Sequence, residues 1–224
     1  MLKAVLYKEW FKTRKVVLAI LIVFVCFTGY DFLALGKNAE LRGWGFLWKF
    51  VVGKNSVMIE NLRMLPLIAG IVLGMVQFLP EMSRKRIKLT LHLPCPEWQS
   101  VAAMQGYGVA VLLALFALQT IGIAAFMSHY MVYDLVLRIV VTMLTWYAAG
   151  LCAYLWTATV ILEPSWKFRA WEMVIAAGML GLCFGSSEAM AYADKIVWIV
   201  LGIVVLLAPV MQCSIVRFKE GARD

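Results

Sequence analysis

The sequence predicts an all-α integral membrane protein with six transmembrane helices and an amphipathic interfacial helix at its N-terminus. Apolar residues make up 63% of the chain and charged residues only 15%, whereas about 25% of the residues in a soluble domain are charged. The apolar residues also fall into six long runs separated by polar or basic stretches. A water-soluble fold of 224 residues could not cover this much apolar surface, so we expect the excess to face lipid.

The six apolar runs have about the length that transmembrane helices need. A helix rises about 1.5 Å per residue, so about twenty residues cross the roughly 30 Å of hydrocarbon in a bilayer. The second and fifth runs are short, and the third and fourth are longer than required. The chain is predicted to be a single transmembrane domain, residues 1–224, with spans at 16–35, 64–79, 101–127, 135–162, 171–185 and 196–215.

The positions of the basic residues predict that both termini lie in the cytoplasm and that the membrane is the cytoplasmic (inner) one. With the N-terminus inside, most of the 21 Lys and Arg residues fall in inner segments, and the two short outer loops hold almost none. This is the positive-inside distribution. The net charge of +8 is then explained by contact with anionic lipid headgroups. Because no aromatic-basic module is present, no nucleic-acid partner is expected.

The first fifteen residues form the predicted interfacial helix. An apolar face and a cationic face alternate at helical spacing, which is typical of a helix that lies on the membrane surface and then bends into the first span. The apolar face contains Leu2, Val5, Leu6 and Trp10, and the cationic face contains Lys3, Lys8, Lys12 and Lys15.

Two pairs of small residues predict close helix packing. Gly70 and Gly74 lie four residues apart in the second span, and Gly181 and Gly185 have the same spacing in the fifth. Such pairs let two helix backbones approach closely. The packing is expected either within one chain or between two chains.

Catalytic and cofactor-binding motifs are missing from the sequence. The chain has no G-x-x-x-x-G-K-[ST] motif, so it is not expected to bind a nucleotide by itself. Its two histidines, His92 and His129, are predicted on opposite sides of the membrane and cannot share a metal ion. No catalytic residue, metal or cofactor is therefore assigned to this chain.

The second inner segment, residues 80–100, contains the most informative pattern. Glu81 closes the second span, and four cations follow between Arg84 and Lys88. A short apolar run and two prolines, which indicate a turn, then lead to Glu97 and the third span. A positive-inside loop explains the cations but not the compact apolar turn. A docking element for a cytoplasmic partner explains both.

Two segments resemble the permease subunits of type-2 ABC transporters, the export-type family. LYKEWFKTRK at positions 6–15 resembles the helix that opens this family, and EMSRKRIKLTLHLP at positions 81–94 resembles its loop after the second span. The usual Gly-Thr of that loop is replaced here by the stretch from Lys85 to Thr90. The predicted six-span plan also fits the family.

The resemblance implies a division of labour between chains. A separate cytoplasmic ABC ATPase subunit would bind ATP and Mg²⁺, and a second permease chain, the same or related, would help to enclose the substrate path. Glu9 and Trp10 would belong to the interfacial helix. The residues assigned to coupling with the ATPase are Glu81, Arg84, Lys85, Arg86, Pro94 and Glu97.

Three other classes of protein share parts of this pattern. A membrane scaffold or accessory protein that binds partner membrane proteins without transport would have the same spans and basic loops. An intramembrane enzyme would need Ser, His or acidic groups clustered at one depth. A secondary transporter would need polar groups near the midplane of the membrane.

Overall fold

The fold is known from a computed structural model that describes residues 2–43, 45, 59–83, 97–185 and 202. The described residues are all-helical, with no strand among them. A 3₁₀ turn at Glu60–Leu62 precedes the second long helix. The long helices are α1 (Leu2–Arg42), α2 (Leu65–Ser83), α3 (Glu97–Tyr130), α4 (Tyr133–Leu162) and α5 (Trp166–Cys183).

Four of these helical segments are long and apolar enough to cross a membrane. They contain the first four spans that the sequence predicts, so the all-helical, membrane-compatible character of the chain is confirmed. Their bounds are Lys3–Arg42, Glu60–Ser83, Trp98–Tyr130 and Tyr133–Leu162.

Neither of the last two predicted spans falls within these four segments. The fifth, residues 171–185, falls mainly on α5, an 18-residue helix that carries Lys167, Arg169 and Glu172 and is not among the four. The sixth, residues 196–215, lies outside the described residues except for Gly202. The number of six spans therefore stays a prediction.

Helix α1 is longer than a single membrane crossing. Its 41 residues are continuous and give a length of about 62 Å, roughly twice the hydrocarbon thickness. The predicted boundary between the interfacial helix, residues 1–15, and the first span does not interrupt the helix. The helix is therefore longer than one perpendicular crossing requires, and the placement of residues 1–15 in the headgroup plane stays a prediction.

The helices also reach into the predicted coupling segment, residues 80–100. Helix α2 continues through Pro80 to Ser83, and α3 already begins at Glu97. Glu81 therefore belongs to the last turn of α2. The intervening residues, 84–96, lie outside the described part of the chain.

The tightest packing in the described fold joins α2 to α4. A Cβ atom at Gly70 would overlap the carbonyl oxygen of Gly150, and one at Gly150 would lie 2.5 Å from the carbonyl oxygen of Pro66. A Cβ at Gly74 would lie 3.0 Å from Cβ of Thr157. The two backbones therefore approach to a distance at which glycine is required on both helices.

The second glycine pair has no comparable contact in the described fold. Gly181 and Gly185 are both exposed. A Cβ at Gly181 would meet nothing within 4 Å. The close approach that the structure does contain depends instead on Gly150, which the four-residue spacing does not select.

Stacked aromatic rings join α1 to α3 and α3 to α4. The ring centroids of Phe32 and Phe126 are 3.9 Å apart, and those of Phe24 and Phe116 are 6.1 Å apart. Phe116 also stacks on Tyr147 of α4, with 4.6 Å between centroids. These rings form part of the hydrophobic core that holds the long α1 against the other helices.

We expect Gly70→Ala to destabilise the protein by about 1–3 kcal/mol, because the added methyl group forces α2 and α4 apart. Thermal unfolding of the purified chain in detergent measures this effect. The matched control is Gly122→Ala in α3, where a Cβ meets nothing within 4 Å and the change to alanine favours the helix. Equal stability of the two variants would contradict the close packing.

Candidate functional site

A buried cluster of charged and polar side chains joins the N-terminal part of α1 to the last turns of α2. We call Lys8, Glu9, Lys12, Gln77 and Glu81 the Glu81 cluster. Glu9, Gln77 and Glu81 are completely buried. Oε1 of Glu81 lies 2.9 Å from Nζ of Lys8 and 3.1 Å from Nζ of Lys12, and Oε2 of Glu9 lies 2.8 Å from Nζ of Lys12.

Helical periodicity explains why these side chains meet. Lys8 and Lys12 are four residues apart in α1, and Gln77 and Glu81 have the same spacing in α2. Residues at this spacing lie on one face of a helix, one turn apart. Each helix therefore presents two consecutive polar turns to the other, and Glu9 joins Lys12 from within α1 at three-residue spacing.

The ammonium group of Lys12 uses its whole hydrogen-bonding capacity within the cluster. It donates to Oε1 of Glu9 at 3.0 Å, to the backbone carbonyl of Gln77 at 2.8 Å and to Oε1 of Glu81 at 3.1 Å. A lysine ammonium has three donors. The side chain is only 15% exposed, so these acceptors replace the water that it has lost.

The hydrogen bonds continue from the cluster into α3 and α4. The side-chain amide of Gln77 donates to the carbonyl of Met104 at 2.7 Å, and the Tyr154 hydroxyl donates to Oε1 of Gln77 at 2.8 Å. Close by, the hydroxyls of Thr13 and Tyr107 are 2.6 Å apart. Helices α1, α2, α3 and α4 are thus linked at one level by buried polar contacts.

The charges in the Glu81 cluster balance. Two ammonium groups face two carboxylates, so the cluster carries no net charge while α1 and α2 remain together. Moving the helices apart would leave buried charges on each side without partners, which is costly in a low-dielectric environment. The ion pairs therefore link the N-terminal part of α1 to the last turns of α2.

The structure brings together two of the residues that the sequence assigned to separate elements. Glu9, from the predicted interfacial helix, and Glu81, from the predicted coupling segment, both bind Lys12. Trp10 is half exposed and takes no part in the cluster. Glu97 is the first residue of α3. Outside the described residues lie Arg84, Lys85, Arg86 and Pro94.

Sequence reasoning missed the pairing between the two helices. Lys8 and Lys12 were read as part of a cationic surface face, yet both bind the buried Glu81. A usable signal was present in the i,i+4 spacing of the two lysines and of Gln77 and Glu81. Tyr154 gave no such signal, because nothing near it in the sequence marks its hydroxyl as a partner of Gln77.

Two other polar contacts hold α1 further along its length. Gln119 of α3 donates to the hydroxyl of Thr28 at 3.2 Å and accepts a hydrogen bond from Tyr147, also at 3.2 Å. Nearer the end of α1, the side chain of Asn61 donates to the buried carboxylate of Asp31 at 2.8 Å. These contacts match the structural pairing expected for isolated polar groups in apolar helices.

Comparison of the chain with protein-family models, curated proteins and solved structures finds no match. Within the described ranges, no group of three or more His, Cys, Asp or Glu side chains is placed to hold a metal ion.

We expect Tyr154→Phe to destabilise the protein by about 1–3 kcal/mol, because Oε1 of the buried Gln77 loses its hydrogen-bond donor. Denaturation of the purified chain measures the loss. Tyr133→Phe removes the same hydroxyl from a residue that is 75% exposed and serves as the control. A Tyr154→Phe variant as stable as this control would disprove the role of the hydroxyl.

A second substitution tests the charge balance of the Glu81 cluster. Lys12→Met is expected to cost about 3–5 kcal/mol, because it leaves the buried carboxylate of Glu9 without its cation. Adding Glu9→Gln should recover part of this loss, since both charges are then removed together. The readout is the interaction free energy from a double-mutant cycle. Lys15→Met, on the exposed side of α1, is the control, and strictly additive effects would refute the pairing.

Proposed function

We propose that this chain is the membrane-spanning permease subunit of an ABC transporter, an exporter that moves substrate across the cytoplasmic membrane. A separate ATPase subunit supplies ATP hydrolysis, and a second permease chain completes the substrate path. The proposal is supported by the resemblance of residues 6–15 and 81–94 to the export-type family. The four helical segments long and apolar enough to cross a membrane are compatible with it.

The Glu81 cluster is the observation that carries the proposal. The resemblance implies that the ATPase acts on the N-terminal helix and on the segment that begins at Glu81, in the last turn of α2. Ion pairs from the partly exposed Lys8 and from Lys12 to the buried Glu81 connect these two regions. A force applied to either region would therefore reach both helices.

The packing of α2 against α4 suggests how a movement of α1 and α2 would be transmitted to α4. Gly70 and Gly74 allow α2 to approach α4 closely, and we expect the two helices to move together. Closure of the ATPase on its nucleotide would favour one arrangement of α1, α2 and α4, and opening would favour another. This is a population shift, in which ATP changes the balance between two orientations of the spans.

Co-purification is the first test of this function. The full-length chain, tagged and extracted in mild detergent, is expected to retain a P-loop ATPase at a fixed stoichiometry, and the complex should hydrolyse ATP. Absence of such a partner, in a preparation where a known transporter complex stays intact, would contradict the permease function.

The role of Glu81 is tested by Glu81→Gln within that complex. We expect the complex to assemble while the stimulation of ATPase activity by the permease falls about tenfold or more, which corresponds to about 1.4 kcal/mol of coupling. The matched control is Glu60→Gln. Glu60 is exposed and lies in the 3₁₀ turn that precedes α2, so loss of its charge should leave the stimulation unchanged.

Loss of stability must be separated from loss of coupling. Tyr154→Phe weakens the same region without changing its charge, so it controls for stability. If it lowers the stimulation as much as Glu81→Gln does, Glu81 has no coupling role. If Glu81→Gln impairs only assembly and leaves the ATPase rate of the assembled complex intact, the chain behaves as a scaffold.

A further inference from the structure

A cationic cavity opens on the side of α1, next to the Glu81 cluster. It has a volume of about 460 Å³, and the described residues that line it come from one helical stretch: Lys8, Phe11, Lys12, Arg14 and Lys15. This volume lies within the range of small-molecule sites in proteins. Four of the five lining side chains carry a positive charge.

The charges around this cavity do not cancel. The two neighbouring carboxylates, Glu9 and Glu81, are taken up by Lys8 and Lys12. Within the described part of the chain, Arg14 and Lys15 form no ion pair. Two positive charges are therefore left in excess, and they favour an anionic ligand.

The lining residues differ in what they can offer such a ligand. All three donors of Lys12 are already used inside the cluster, so Lys12 has none left for a ligand. Lys8 forms an ion pair with Glu81, and its side chain is 40% exposed to solvent. Arg14 is held over the ring of Phe11, with Cζ 4.4 Å from the ring centroid. That contact orients the guanidinium, whose planar donors suit phosphate oxygens.

Exposed apolar residues around the cavity indicate which kind of phosphate it takes. Tyr7 and Trp10 are 70% and 50% exposed on the same stretch of helix, and Leu18 is 60% exposed one turn further along. Aromatic side chains of this kind are typical of the headgroup level of a membrane. A ligand here would thus meet positive charge at one end and apolar helix surface at the other, which matches a phospholipid.

We propose that the cavity lined by Lys8, Phe11, Arg14 and Lys15 binds the phosphate headgroup of an anionic phospholipid, with the acyl chains along the apolar surface of α1. This site is independent of the proposed transport function, because it requires neither an ATPase nor a second permease chain. Its direct ligands are Arg14 and Lys15, assisted by Lys8.

Native mass spectrometry of the full-length chain in a neutral detergent, titrated with phosphatidylglycerol, tests the site. We expect a bound lipid whose dissociation constant rises about 25-fold in the double variant Arg14→Gln/Lys15→Gln, since each cation near an anionic lipid surface contributes about fivefold. The control Lys37→Gln/Lys167→Gln removes two exposed cations elsewhere and should bind like the wild type. Circular dichroism verifies that both variants remain helical.

Three results would overturn the proposal. Equal affinity of the two double variants would show that net charge, not this cavity, attracts the lipid. Equal binding of phosphatidylcholine with the same acyl chains would show that the site does not select an anionic headgroup. Displacement of phosphatidylglycerol by an equal concentration of inorganic phosphate would assign the cavity to free phosphate.

Discussion

The ammonium group of Lys12 imposes the constraint on which the arrangement of the described helices depends. A lysine that has lost most of its water needs acceptors for three N–H groups, and it finds one on its own helix and two on α2. Those acceptors exist together at only one relative position of α1 and α2. Gln77 supplies one of these acceptors through its backbone carbonyl. Its side chain extends the hydrogen bonds to α3 and α4.

This constraint matters because most of α1 has little contact with the rest of the described fold. In its most apolar stretch only 17% of the residues are buried inside the fold. Apolar side chains pack almost equally well against lipid and against other apolar side chains, so they do not strongly select one position along the helix axis. Buried ion pairs add little net stability compared with apolar packing, but they are strongly position-dependent. Lys8 and Lys12 therefore help to specify where α1 lies against α2, and the stacked rings of Phe24 and Phe32 are compatible with that position.

The parts of the fold that follow from local physics were predictable from the sequence. Apolar runs of about twenty residues predict helices, because a backbone in lipid must satisfy its own hydrogen bonds. The helix ends were less predictable. Glu9, Lys12 and Glu81 looked like interfacial residues because their charge would be costly inside a membrane. In the structure Glu9 and Glu81 are buried and Lys12 is only 15% exposed, because Lys12 binds Glu9 on its own helix and Glu81 on α2. The four-residue spacing marks a polar face on each helix, but it does not show which two faces pair.

The glycines show the same distinction between local and tertiary information. Gly70 and Gly74 formed a recognisable pair, and both lie at the α2–α4 contact. Gly181 and Gly185 formed an identical pair, yet both are exposed in the described fold. Gly150 stands alone in the sequence, but it provides the surface that Gly70 approaches. The four-residue glycine spacing therefore indicates that a helix can approach another helix closely. Whether it does so depends on the residues that the neighbouring helix presents.

Helix α1 combines two kinds of charged surface within two turns. Lys8, Phe11, Lys12 and Lys15 follow the spacing of one helical face, with Lys12 at its buried edge and Lys15 at its exposed edge. At the buried edge, each positive charge is met by a carboxylate of the protein, so contact with α2 leaves no excess charge. At the exposed edge, Arg14 and Lys15 add charge that the described fold does not neutralise. A rotation of α1 about its axis would therefore disturb both surfaces together, because it would withdraw Lys12 from Glu81 while it changed the direction in which Arg14 and Lys15 are exposed.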